Sequence, residues 1–413
     1  MQNIWKHISQ VLYRVLLMGI LLQIVLGLCW GLVGLINSGW YSVIYILQLA
    51  ATFAGGCMLL SGCGISSRLQ KITGAGWLMT SPVILQSHVA ADGIAPAVAL
   101  LMFEAAFCIR FFKKENAGWK DMILPLAFWL VSGIFRPEYL LFGLVPVLAV
   151  MLRYLWICQN KAAKTGTLGV VALLILFSAL EVTGAVEAKT DMTFREALVT
   201  RCVWSSIPHV YDSWPAEIRE VLPKTMAMEA YYRPEQSEEV FLEGFRSLPK
   251  DEQTACFKIM TESSLACRKG AVFKETAYDL LGYVIPGIIV NMQLGGKGYF
   301  SATAVNYQEW MDGREVFAGF YMTFYGYWFV ISGVILLCLL IGNKNARKEE
   351  GKQKVETLHL WICVCAILMA ISQAGYYTLY MVGRYDYRLA TCAALMWGLV
   401  TLLVMNDRKG PVE

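Results

Sequence analysis

The stretch WLVSGIFRPEYLLFGLVPVL, residues 129–148, places an arginine, a proline and a glutamate inside an otherwise apolar run. The apolar sequence around it, from Trp119 to Trp156, is too long for a single membrane helix, which takes about 20 residues. Pro137 lacks an amide donor and disfavours the helical conformation at the residue before it. The stretch therefore predicts two membrane helices joined by a tight turn, with Arg136 and Glu138 at its tip.

The remainder of the chain has a similar composition. Hydrophobic residues make up 57% of the 413 residues and charged residues only 16%, whereas a soluble domain carries about 25% charged residues. Several apolar windows exceed the length of about 18 residues that indicates a membrane helix. The composition therefore predicts an all-α polytopic membrane protein. Its basic residues are placed by membrane topology, so no nucleic acid partner is expected.

Ten apolar runs predict about ten transmembrane helices. They cover residues 14–36, 41–63, 72–88, 94–112, 121–135, 138–157, 166–187, 319–341, 358–381 and 388–405. Eighteen Lys and Arg residues fall on one set of alternate connections, and only Arg136, Arg384 and Arg388 fall on the short connections of the other set. Because basic residues accumulate on the cytoplasmic side, both termini are expected to be cytoplasmic. The expected location is the plasma (cytoplasmic) membrane, with an uncleaved first helix.

The topology predicts three regions along the chain. Residues 1–187 hold seven helices, residues 188–318 form an extracytoplasmic and mostly helical domain, and residues 319–413 hold three helices. The segment 278–294 is apolar but contains Asp279 and Pro286. As an additional span it would reverse the charge bias of the following connection, so it is predicted to be an interfacial or re-entrant helix.

Cysteines and histidines give no sign of a metal site. Nine of the twelve cysteines fall in the predicted membrane helices or at their ends, where cysteine behaves as a small hydrophobic residue. The other three, Cys202, Cys256 and Cys267, lack CxxC spacing. Cys256 and Cys267 are candidates for one disulfide, although free thiols are the favoured interpretation.

Charged residues also mark the other predicted outer tips. SHVAADGIAP carries His88 and Asp92, and GRYDYR carries Arg384, Asp386 and Arg388. Arginine binds phosphate or carboxylate groups in a bidentate fashion, so arginines on these short loops indicate an anionic partner. The alternative is that Asp92, Glu138 and Asp386 are simply the ion-pair partners of the arginines.

Three segments resemble membrane glycosyltransferases of the GT-C type, the protein O-mannosyltransferase-like and aminoarabinose-transferase-like enzymes. They are WLMTSPVILQSHVAADGIAPAVALL, LAFWLVSGIFRPEYLLFGLVPVLAV and GRYDYRLATCAALMWGL. The resemblance covers most of the membrane part and implies transfer of a sugar from a polyprenyl-phosphate carrier to an envelope glycan, lipid or protein on the outer face. It implies no certain cofactor besides this lipid-linked donor, and it leaves a requirement for a divalent metal open.

The resemblance also assigns residue roles. Asp92 and His88 take the catalytic positions, with Asp92 as the base that acts on the acceptor hydroxyl. Arginines hold the lipid phosphate and stabilise the charge that develops on it. The substrate-binding set is Arg136, Glu138, Arg384, Tyr385 and Arg388.

The chain departs from the family pattern in its first outer loop. That loop usually carries the catalytic acid, but here it is only INSGWY, residues 36–41, without Asp or Glu. Either Asp92 or a residue of the extracytoplasmic domain, such as Asp212, replaces this acid, or the chain is not catalytic. Two hypotheses therefore remain open: a glycosyltransferase, or a non-catalytic protein of the same architecture that binds a lipid carrier or belongs to a flippase or transport system. Glu104, in the apolar run LLMFEAAF, favours transport or a proton relay because acids inside membrane helices are usually functional.

Overall fold

The computed structural model describes residues 2–37, 41–89, 93–158, 160–190, 193–204, 206–232, 245, 248–284, 324–325, 327–339, 357–380 and 389–406. Every regular element within these ranges is a helix. The helices are α1 Gln2–Asn37, α2 Ser42–Gly62, α3 Arg68–Met79, α4 Pro82–Val89, α5 Ile94–Lys113, α6 Ile123–Phe135, α7 Glu138–Ile157, α8 Lys161–Thr190, α9 Phe194–Trp204, α10 Ile207–Val210, α11 Ala216–Val221, α12 Lys224–Tyr232, α13 Lys250–Val284, α14 Tyr327–Leu339, α15 Thr357–Tyr380 and α16 Thr391–Asn406. Short 3-10 turns precede α6 and follow α10.

Six helices are long and apolar enough to cross a membrane. These spans are His7–Leu32, Ser42–Gly62, Ile94–Lys113, Glu138–Ile157, Lys161–Gly184 and Leu358–Tyr380. They support an all-α, multi-pass membrane protein. The other four predicted spans correspond to shorter helices in the described residues, namely α3 with α4, α6, α14 and α16.

The predicted span 72–88 is broken in the middle. Helix α3 ends at Met79 and α4 begins at Pro82, so that two short helices replace the single one. A proline disfavours the helical conformation at the residue before it and lacks an amide hydrogen. Pro82 therefore allows a new helix to begin but not the old one to continue, which explains the difference from the prediction.

The largest hydrophobic core joins α2, α3, α4, α5, α7, α15 and α16. Helix α1 packs onto the outside of α3, where Leu16 and Ile20 contact a second apolar cluster that includes Trp77. One polar contact is buried in that interface: the Trp77 indole N–H donates to Gln23 Oε1 at 2.9 Å, and Gln23 Nε2 donates to the Trp77 carbonyl at 3.4 Å.

The hydrophilic region has a small core of its own. Side chains from α9 to α13 form it, and Trp214, Leu222 and Met260 are almost completely buried there. Residues 278–284 of the predicted interfacial segment continue α13 without a break. The remainder of that predicted segment, 285–294, lies outside the described residues.

Helix α13 connects the hydrophilic region to the membrane helices. The Tyr283 ring, near the end of α13, lies 5.5 Å from the Tyr377 ring of α15. Arg201 of α9 is buried and forms an ion pair with Asp279 of α13 at 2.5 Å. Cys256 and Cys267 are both free thiols, the first buried and the second exposed.

The Gln23–Trp77 pair provides a test of how α1 is attached. We expect Gln23→Leu to lower the free energy of unfolding by about 1–3 kcal/mol, because it leaves the buried indole N–H without an acceptor. Adding Trp77→Phe removes that donor, so the double variant should lose less stability than the sum of the two single variants. Thermal unfolding in detergent micelles measures all three, and strictly additive losses would contradict the pairing.

Candidate functional site

The Arg-Pro-Glu turn lies between α6 and α7, as the sequence predicts. Helix α6 ends at Phe135, Arg136 is extended with φ −148° and ψ 102°, and α7 begins at Glu138. Helix α6 has only 13 residues, which at 1.5 Å per residue is about 20 Å, whereas the hydrocarbon core of a bilayer is about 30 Å thick. Because both charged side chains of this turn are almost completely buried, they need partners within the protein.

Arg136 and Glu138 provide those partners for each other. Arg136 is 8% exposed and Glu138 is 7% exposed. Arg136 Nε donates a hydrogen bond to Glu138 Oε1 at 2.7 Å, and Arg136 Nη2 contacts the same oxygen. The Tyr377 hydroxyl of α15 also donates to that oxygen, at 3.2 Å. This pairing is the alternative that the sequence left open for Glu138.

Aromatic rings surround the turn and link it to other helices. Tyr139 and Phe142 of α7 pack edge to face, with ring centroids 5.3 Å apart. Phe142 also contacts the rings of Tyr376 and Tyr377, each at 5.9 Å. Together with Tyr283 of α13, these rings limit the access of water to the ion pair, and exclusion of water strengthens its electrostatic attraction.

The loop before α5 ends against this turn. Gly93 has a positive φ of 80°, and a Cβ atom built on it would lie 2.7 Å from the Phe135 carbonyl oxygen and 3.7 Å from Arg136 Cδ. Only glycine combines this backbone conformation with so close an approach. The contact brings the end of the SHVAADG loop to the Arg136 turn, although Asp92 itself lies outside the described residues.

The start of α16 is bound to the same part of α7. Tyr139 Oη and Thr391 Oγ1 are 2.7 Å apart, and Gln373 Nε2 donates to the same Thr391 oxygen at 3.0 Å. Gln373 Oε1 accepts the backbone N–H of Cys392 at 2.8 Å. The third charged tip precedes Thr391 in the chain, but Arg384, Tyr385 and Arg388 lie outside the described residues.

His88 occupies a different environment from the one expected of a catalytic group. It is fully buried, with Nε2 2.9 Å from Thr52 Oγ1 and Nδ1 2.7 Å from the Ile84 carbonyl oxygen. Both ring nitrogens therefore have a hydrogen-bond partner in the interface between α2 and α4. This arrangement is typical of a histidine that stabilises helix packing.

Residues that the sequence did not indicate complete the site. Tyr377, Gln373 and Thr391 lie in apolar helices more than 200 positions from the Arg-Pro-Glu turn, and no local pattern distinguishes them. The described residues contain no group of three or more His, Cys, Asp and Glu side chains that could hold a metal ion.

Comparison of the chain with protein-family models, with curated proteins and with solved structures finds no match. The resemblance to GT-C transferases therefore rests on the three short segments of sequence.

Gly93 allows a direct test of the contact between the loop and the turn. We expect Gly93→Ala to lower the free energy of unfolding by at least about 1–2 kcal/mol, because an L-residue is strained at positive φ and the new methyl group would meet the Phe135 carbonyl. Gly76→Ala is the control, since nothing lies within 4 Å of its added Cβ and alanine favours a helix. Equal melting temperatures for the two variants in detergent would contradict the contact.

Thr391 allows a test of the bond between α7 and α16. Thr391→Val should cost about 2 kcal/mol or more, because two buried partners, Tyr139 and Gln373, lose their shared oxygen. In the control Thr183→Val, the lost hydroxyl bonds only to carbonyls of its own helix, at 2.8 and 3.1 Å. Denaturant or thermal unfolding compares the two variants, and a Thr391→Val loss no larger than the control would contradict the network.

Proposed function

We propose that this chain is a plasma-membrane glycosyltransferase that moves a sugar from a polyprenyl-phosphate carrier to an envelope acceptor. The proposal is carried by one observation: Gly93, at the end of the loop that contains Asp92, packs against Phe135 and Arg136. A candidate base and a candidate phosphate ligand thus belong to segments that meet at one end of the helix bundle. The resemblance of both segments to GT-C enzymes supports the same function.

The proposed reaction divides the work between these two segments. Asp92 accepts the proton of the acceptor hydroxyl, whose oxygen attacks the anomeric carbon of the sugar. The bond between that carbon and the phosphate oxygen breaks, and the lipid phosphate leaves with the electron pair. Arg136 stabilises the negative charge on the departing phosphate, while Arg384, Tyr385 and Arg388 of the neighbouring tip take part in holding it.

Glu138 has two consequences for this proposal. It keeps the Arg136 guanidinium oriented and neutralised in a site from which water is largely excluded. It also competes with a phosphate for the same donors, so an arriving lipid phosphate has to share or displace the carboxylate. Because Glu138, itself bonded by Tyr377, holds the Arg136 side chain in place, that side chain loses less conformational entropy when the anion binds.

The topology that belongs to the proposal follows from the charge bias. Both termini lie in the cytoplasm, and the hydrophilic region 188–318 lies outside the membrane with the charged tips. A non-catalytic protein that binds the same carrier, or a part of a flippase or transport system, is the alternative. The missing acid in the first outer loop favours this alternative, and only a measurement of turnover separates the two.

The test compares binding and transfer in the same set of variants. We expect Arg136→Ala to weaken the binding of undecaprenyl phosphate, measured by native mass spectrometry, at least tenfold, or about 1.4 kcal/mol. Asp92→Asn should retain binding and abolish transfer, measured as the loss of sugar from envelope material in cells that carry the variant. The matched control is Arg153→Ala, at the far end of α7, whose guanidinium lies over the Phe112 ring.

Arg136→Ala leaves the Glu138 carboxylate buried without its partner, which costs about 3–5 kcal/mol. A second variant that preserves the fold is therefore needed. The double variant Arg136→Gln with Glu138→Gln keeps two hydrogen-bonding side chains and removes both charges. If it folds and still binds the lipid phosphate at full strength, the proposed site is wrong. If all variants bind as expected and none of them, nor the unmodified chain, transfers a sugar, the non-catalytic alternative is correct.

A further inference from the structure

Glu104 of α5 is the least compensated charged side chain among the described residues. It is fully buried, it lies in a candidate membrane span, and neither of its carboxyl oxygens has a hydrogen-bond partner. Isolated carboxylates are costly to bury, and such groups take up a proton instead. The proposed sugar transfer makes no use of this residue.

Among the described residues, no cationic side chain pairs with Glu104. A Cβ atom built on Gly143 of α7 would lie 2.6 Å from Glu104 Oε2, and the same position is 3.0 Å from the Trp129 ring of α6. The titratable groups that interact electrostatically with Glu104 are two thiols, Cys108 of α5 and Cys392 of α16. Gly143 thus provides room for the carboxyl group, but none of these neighbours neutralises a negative charge.

An apolar cavity adjoins this position. It measures about 70 Å³, and its walls include the same Cys108 and Cys392 together with Met102 and Ala105. The remaining lining side chains come from α2, α5, α7, α15 and α16, and all are apolar except for the Cys365 thiol and the indole N–H of Trp361. The Glu104 carboxyl does not itself line this cavity, but two thiols that interact electrostatically with it, those of Cys108 and Cys392, do.

The chemistry of these neighbours selects the ligand. Magnesium and calcium ions need about six oxygen ligands, and no second Asp or Glu among the described residues joins Glu104 in a group that could hold a metal. Soft metals require several thiolate or imidazole ligands, and the described residues form no such group. A proton needs only one carboxylate oxygen, so it is the one cation that this site can bind alone.

We propose that Glu104 is a proton-binding site in the interior of the helix bundle, and that it exchanges with the outside through the adjoining apolar cavity. An apolar molecule in the cavity excludes the water that would solvate the ionised carboxylate. Occupancy of the cavity therefore favours the protonated form, and by linkage the proton favours occupancy. This proposal does not require the proposed sugar transfer to be correct.

A hydrophobic carbodiimide tests the proposal on the full-length protein in detergent. Dicyclohexylcarbodiimide adds to protonated carboxyl groups, and its adduct persists as an N-acylurea only where water is scarce. At about pH 8, where exposed carboxyls are ionised, we expect mass spectrometry to find the adduct at Glu104. The exposed Glu115 serves as the internal comparison and should remain unlabelled.

Two variants make the outcome decisive. Met396→Trp enlarges a side chain of the cavity wall and should slow the labelling of Glu104 several-fold without abolishing folding. Glu104→Gln should lose the adduct and keep its melting temperature within a few degrees, because a neutral amide replaces a neutral acid. The proposal would be overturned if Glu104 were not labelled, if Glu115 were labelled to the same extent as Glu104, or if Met396→Trp left the rate of labelling unchanged. A large loss of stability in Glu104→Gln would also overturn it.

Discussion

The buried ion pair between Arg136 and Glu138 is the constraint on which the organisation of this end of the protein depends. Taking either charge out of water costs several kcal/mol, so the turn between α6 and α7 remains buried only while the pair is intact. Glu138 accepts three contacts at one oxygen, two from Arg136 and one from Tyr377. Helix α15 is thereby fixed against a turn that is more than 200 residues away in the sequence.

The network around Thr391 adds a second fixed point one residue further along α7. Tyr139 follows Glu138 in the chain and bonds Thr391, which also accepts from Gln373 of α15. Helices α7, α15 and α16 are thus joined by side-chain hydrogen bonds just inside the charged turn. Such a scaffold suits the proposed binding of a lipid carrier, because residues on rigid helices lose little entropy on binding.

The sequence predicts those features that arise from neighbouring residues. Pro137, with the charged Arg136 and Glu138 on either side, determines where α6 ends and α7 begins. The long apolar runs indicate an all-α membrane protein. The break at Pro82 could have been found by the same rule, but the apolar composition on both sides favoured one helix. Local patterns could not reveal that His88 bonds Thr52 or that Tyr377 bonds Glu138. Those pairings depend on which faces of the helices pack against each other. The spacing of residues along apolar helices of similar composition does not determine that packing.

Glu104 and the ion pair both lie against helix α7. Gly143, which contacts the Glu104 carboxyl, lies five residues beyond Glu138 on α7, or about 7.5 Å along the helix. Negative charges repel each other, and the repulsion is stronger where water is excluded. Because Glu138 already neutralises Arg136, an anion bound at the turn adds uncompensated negative charge. It therefore favours the protonated form of Glu104, and the sign of this coupling does not depend on whether the anion is a substrate or a regulator.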